Sequence, residues 1–179
     1  GEGMVQALWE EAGHGVELPV PRMRYADAME RYGSDKPDLR FGLELFDATE
    51  VFRPAEFSVT RAAIGAGGRV RGIRVPGGAV LTRKQVDEIE AAARALGAAG
   101  VLRLKLAGGA LEGGPAKHLG AGAGPALGLA EGDLCLLVAG PDHVTSPALD
   151  RVRHEVARRM SLVPADVNRF VWIVDFPLF

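Results

Sequence analysis

Gly33, Ser34, Asp35, Lys36, Pro37, Asp38 and Arg40 stand within one short run, RYGSDKPDLRF, residues 31–41. A hydroxyl, carboxylates, an ammonium and a guanidinium this close together can hydrogen-bond and charge-match a polar ligand. The same groups can satisfy one another in a turn, Asp38 pairing with Arg40 and Asp35 with Lys36. Asp and Pro favour turns, and composition alone favours the turn here. A second group is purely cationic. From Phe57 to Val86 there is no acidic residue, but there are Arg61, Arg69, Arg71, Arg74, Arg83 and Lys84. Arg69 and Arg71 share one strand face if that segment is extended. Such a set can contact RNA phosphates, or form a solvated sheet face, the commoner fate of a charge run. Arg151, Arg153, Arg158 and Arg159 form another basic group, diluted by Glu155.

Other chemistry finds less support. His14, His118, His143 and His154 are scattered, and no pair has metal-ligand spacing with Cys135 or a carboxylate. Cys135 lies in an apolar run and reads as a small buried hydrophobe. The glycine-rich stretches 65–68, 108–114 and 120–124 match neither phosphate-loop pattern, and no nucleophile elbow is present.

The chain has 179 residues, 25% of them charged and 47% hydrophobic, with a formal net charge of −2. That suits one domain or two small ones. The whole chain is no polyanion magnet, so any such contact needs a local patch. A single cysteine allows no internal disulfide and fits a reducing compartment. No apolar run approaches the roughly 20 residues of a membrane span. The first residue is Gly1, and the last run, FVWIVDFPLF, has buried-strand character. We expect it to continue into a longer protein, because natural termini are usually exposed.

The elements that must carry these groups follow from periodicity. Residues 4–12 read as a short helix ended by Gly13. Tyr25, Met29 and Tyr32 mark a second helix, which Gly33 stops. Two strand-like runs between Phe57 and Val75, split by residues 65–68, read as a hairpin. Residues 82–96 give the clearest helix, with Thr82 and Gln85 at capping-box spacing. Residues 101–106 alternate as a half-buried strand, and residues 115–119 suggest a short helical turn. Asp133 to Ala139 reads as a central strand. Ser146 and Pro147 read as N-cap and first residue of a helix burying Leu149, Val152, Val156 and Met160. A last strand starts near Arg169. The pattern predicts an α+β fold, β-β-α-β-β-α, with helices covering a largely antiparallel sheet. Flanks 1–45 and 168–179 fall outside the pattern and pair with each other or with something else. Residues 25–41 and 169–179 are expected to pack apart from the 57–160 unit.

At these flanks the sequence resembles a known family. PRMRYADAMERYGSDKPDLRFGLEL (21–45) and VWIVDFPLF (171–179) are similar to two segments of bacterial-type aspartyl-tRNA synthetases. In that family they belong to the class II catalytic domain and bracket an inserted domain shared with the B subunit of the tRNA-dependent amidotransferase. The middle resembles that insert through VPGGAVLTRKQVDEIE (75–90), GAAGV (97–101), AKHL (116–119) and Gly132-Asp133. Ala99 stands where the family usually has lysine, and His118 where it usually has phenylalanine.

The resemblance implies residues 1–45 as a catalytic-domain flank, 46–167 as the inserted α+β domain and 168–179 as the return strand. It implies a cytoplasmic, homodimeric parent enzyme that activates aspartate with ATP and Mg2+ and transfers it to tRNA. The rest of the catalytic domain would be this segment's partner. Motifs 2 and 3 would lie before Gly1 and after Phe179, so no catalytic residue, metal or cofactor falls on this chain. Ser34, Asp35, Lys36 and Asp38 become candidates for a cleft-proximal loop. Arg61, Arg69, Arg71, Arg74, Arg83 and Lys84 become candidates for contact with the tRNA acceptor arm. The rival expectation is a bracing insert that binds nothing.

Overall fold

The computed structural model describes residues 1–16 and 18–178; Phe179, the last residue of the expected return strand, lies outside them. The chain opens with helix α1 (Glu2–Glu11), strand β1 (Arg22–Arg24) and helix α2 (Tyr25–Tyr32). Next come β2 (Leu45–Asp47), α3 (Thr49–Phe52), α4 (Ser58–Gly65) and β3 (Arg69–Val75). A 3-10 turn at Gly78–Val80 leads to α5 (Arg83–Arg94), β4 (Leu102–Ala107) and β5 (Ala110–Glu112). A second 3-10 turn (Ala116–His118), α6 (Ala123–Ala126), β6 (Leu134–Gly140), α7 (Asp142–Arg159) and β7 (Trp172–Val174) complete the order.

The five-stranded sheet runs β2-β3-β6-β4-β5, and every pairing in it is antiparallel. β6 is central because it can bury both faces. Leu134, Leu136 and Val138 join Ile73, Val75, Ile89, Leu149, Val152 and Val156 under α5 and α7. Cys135 and Leu137 point the other way, into a core with Phe52, Val70, Leu104 and Leu127. Helices therefore cover both faces, and the α+β expectation with an antiparallel sheet holds. Helix α5 starts as its sequence dictates. Thr82 accepts from the Gln85 amide while the Gln85 side chain accepts from the Thr82 amide, closing a capping box.

Three expectations are corrected. Residues 58–65 are helix α4, not the first arm of a hairpin, so the order is not β-β-α-β-β-α. Thr60 and Ile64, at i and i+4, are the inward positions, and a short apolar run before glycine does not separate the two periods. Helix α7 begins at Asp142 rather than at Pro147. The Ser146 hydroxyl does not cap; it accepts from Arg71 Nη1 at 2.9 Å, four residues inside the helix. Finally, residues 25–41 do not stand apart from the 57–160 unit. Buried arginines of β3 and α7 donate to carbonyls of α2 and of the loop after it. The flanks do pair with each other: β1 and β7 form a separate parallel two-stranded sheet, Met23 opposite Ile173.

Candidate functional site

Helix α2 places the polar loop. Gly33 caps it in the left-handed region, φ 73°, as the sequence suggests. Beyond Gly33 the chain turns on side chains. Ser34 Oγ accepts from the Lys36 amide at 3.1 Å, and Asp38 Oδ1 accepts from the Arg40 amide at 3.0 Å. Of the two expected ion pairs, Asp38 with Arg40 forms at 2.7 Å, and the hydrogen bond from Arg40 holds the Asp38 carboxyl below its ordinary range. Asp35 and Lys36 form no ion pair among the described residues. A groove of about 460 Å³ lies between Gly33 and Ser34 on one side and Pro147, Asp150, Arg151 and His154 of α7 on the other.

The six basic candidates do not form one surface. Arg69 and Arg71 share a strand face, as expected, but neither is a free cation. Arg69 reaches Glu30 and Asp142 at 2.8 Å and Asp47 at 3.1 Å. Its hydrogen bonds hold the Glu30 and Asp142 carboxyls below their ordinary values, and the two carboxylates push its own pKa up. Arg71 is 1% exposed. Its Nη2 donates to the carbonyls of Met29 and Glu30 at 3.1 and 2.8 Å, while Nε has no partner. Burial lowers its pKa, opposed by Glu30. Arg74 projects from the opposite face. Its guanidinium lies 3.6 Å over the Phe46 ring and donates to the Leu127 carbonyl. The exposed cations are Arg61 on α4, 3.6 Å from Glu56, and Arg83 and Lys84 at the start of α5.

Sequence reasoning missed the partners of Arg69 and Arg71, because Glu30, Asp47 and Asp142 lie far away along the chain. It also grouped Arg153 with surface arginines. Arg153 is wholly buried on α7, over the rings of both Tyr32 and Phe41 at 4.8 and 4.9 Å. Its position four residues after Leu149 was the available signal, since that is the buried stripe of the helix.

His14 and His143 are exposed; the other remaining candidates are packing groups. The His118 ring tilts on Phe57 at 5.2 Å and the His154 ring meets Phe41 edge-on at 5.5 Å. Cys135 is fully buried, and burial pushes its thiol up to about 12. Among the described residues no group of three or more His, Cys, Asp or Glu is placed to hold a metal ion. The acidic trio around Arg69 is occupied by that guanidinium.

Comparison with known proteins locates the chain. A family described as GAD domain matches residues 60–149, from α4 into α7. Over 167 residues, 91% of this chain, it is 42% identical to an aspartate–tRNA(Asp/Asn) ligase of Caldanaerobacter subterraneus subsp. tengcongensis. A relative of the same name from Rubrobacter xylanophilus is 46% identical over 90% of the chain. One from Salinispora arenicola is 41% identical over all of it. The chain spans 28 to 31% of the length of these relatives. The antiparallel sheet with α5 and α7 on one face, centred on the matched residues, is thus a GAD domain, and the chain belongs to that family.

Proposed function

We propose that this chain is the GAD-containing segment of an aspartate–tRNA ligase. Residues 46–167 are the inserted domain, and 1–45 and 168–179 are parts of the catalytic domain on either side. The observation that carries this reading is the extent of the similarity. It runs through both flanks, well outside the residues that the GAD family covers. The parallel pairing of β1 with β7 supports it, because it brings together the two flanks from which an inserted domain would leave and to which it would return.

In this reading the parent is a homodimeric cytoplasmic enzyme. It activates aspartate with ATP and Mg2+ and passes it to tRNA; the segment supplies no catalytic group. The test is aspartate-dependent exchange of pyrophosphate into ATP by the full-length protein. Exchange with aspartate supports the ligase, and none overturns it.

For the insert itself we favour a bracing role, because Arg69, Arg71 and Arg74 are engaged inside the protein. Contact with the acceptor arm of tRNA is the second reading, carried by the exposed Arg61, Arg83 and Lys84. The combined variant Arg61→Glu, Arg83→Glu, Lys84→Glu in the full-length enzyme separates them. An unchanged KM for tRNA favours the brace. A raised KM whose salt dependence is flattened favours contact.

A further inference from the structure

The loop after α2 has little backbone support of its own. Among the described residues, residues 34–43 make no backbone-to-backbone hydrogen bond. Leu43, at the end of this segment, stands at φ 61°, a left-handed conformation unfavourable for a branched side chain. Besides its own Ser34 and Asp38 turns, the segment is held by one side chain of α7. Arg153 Nε donates to the Leu43 carbonyl at 2.9 Å. Its Nη2 donates to the carbonyls of Asp38 and Gly42, both at 3.2 Å. The guanidinium lies over the rings of both Tyr32, which ends α2, and Phe41, inside the loop. The nearest carboxylate is Asp150, 3.5 Å from Nη1.

This is an unusual use of a buried charge. Three carbonyls of one loop converge on a single cation, which also lies over two aromatic rings. A planar fork with several fixed donors can satisfy that arrangement; a lysine ammonium is a point charge and cannot span it. Meanwhile Lys36 is exposed, and Ser34, Asp35 and Asp38 are half-buried at the loop surface.

We propose that Arg153 is a positioning residue: it sets the path of residues 33–43 from helix α7, just past the GAD match, and so places Ser34, Asp35, Lys36 and Asp38 at the reaction cleft. The placement at a cleft rests on the ligase reading above; the control of the loop does not. Helix α7 thereby gives the insert a physical connection to the catalytic flank, with no atom of the insert touching substrate.

The test uses the full-length protein and two variants: Arg153→Lys, which keeps the buried charge, and Arg153→Met, which removes it. If one misfolds, the other still answers. The first readout is deuterium exchange. We expect amides 36 and 40, the two that donate to side chains within the loop, to exchange about tenfold faster, with those of α5 unchanged. Leu104→Ala, a change in the core on the opposite face of the sheet from Leu43, serves as the control. It should lower Tm without singling out the loop. Unchanged loop exchange in the folded arginine variants overturns the proposal. The second readout is aspartate activation. Arg153→Lys should lower kcat/KM about tenfold, while KM for tRNA stays as it was. Faster loop exchange with wild-type kinetics overturns the link to the reaction. A wild-type protein that does not activate aspartate, yet shows the exchange effect, overturns the ligase reading alone.

Discussion

Gly33 lies directly on the backbone of Ser146: a Cβ at position 33 would sit 2.3 Å from the Ser146 carbonyl oxygen. The end of α2 and the interior of α7 touch with no side chain between them. Arg71 donates both to the Ser146 hydroxyl and to the Met29 and Glu30 carbonyls, so this flank helix is fastened to the sheet as well as to its covering helix.

Gly33→Ala should therefore be strongly destabilising. It adds an unfavourable positive φ to a steric overlap with backbone that cannot swing aside. We expect a loss of about 2–4 kcal/mol in urea unfolding. Gly13→Ala, also at positive φ but in open space, should cost about 1 kcal/mol. Equal losses at the two positions would contradict the close approach.

Arg71→Ala should cost about 3–5 kcal/mol, because it leaves a cavity, the carbonyls of Met29 and Glu30 and the Ser146 hydroxyl without their donor. Arg71→Met fills the volume and leaves only the acceptors unmatched, so its loss should be smaller. Chemical denaturation of the two variants checks the order; a harmless Arg71→Ala would mean the contact is weak.

The Arg69 cluster predicts acid sensitivity. Glu30 and Asp142 have folded pKa values below their ordinary 4.5 and 3.8, each through its hydrogen bond from Arg69. A depressed carboxylate stabilises the fold above its unfolded pKa. That contribution fades as pH falls below about 4.5 and is gone below the folded values. Arg69→Met should flatten the dependence of Tm on pH between about 5 and 3 relative to wild type. An unaltered pH profile would show that these partly exposed pairs contribute nothing to stability.

Cys135 should be inert. Its thiol is fully buried in the central strand and raised to about 12, so almost no thiolate exists near neutrality. A thiol-reactive disulfide reagent should label it only after denaturation. Rapid labelling of the folded protein would refute the burial.

Short-range signals were legible in the sequence where local geometry alone decides them. The Thr82–Gln85 capping box forms within one turn, Gly33 ends α2 because glycine tolerates φ 73°, and the short apolar run around Cys135, bounded by glycines, suits a central strand. The flanking motifs were long enough to suggest the family before any coordinates. The tertiary structure decided the rest. Residues 58–65 became a helix because Thr60 and Ile64 had a core to face. Ser146 lost its capping role to a guanidinium from another strand. The basic run from Arg61 to Lys84 looked free of acid along the chain. Yet Arg69 meets Glu30, Asp47 and Asp142, and Arg153 meets carbonyls more than a hundred residues earlier. Charge is neutralised through space over a few ångströms, and chain order does not record which residues folding brings that close.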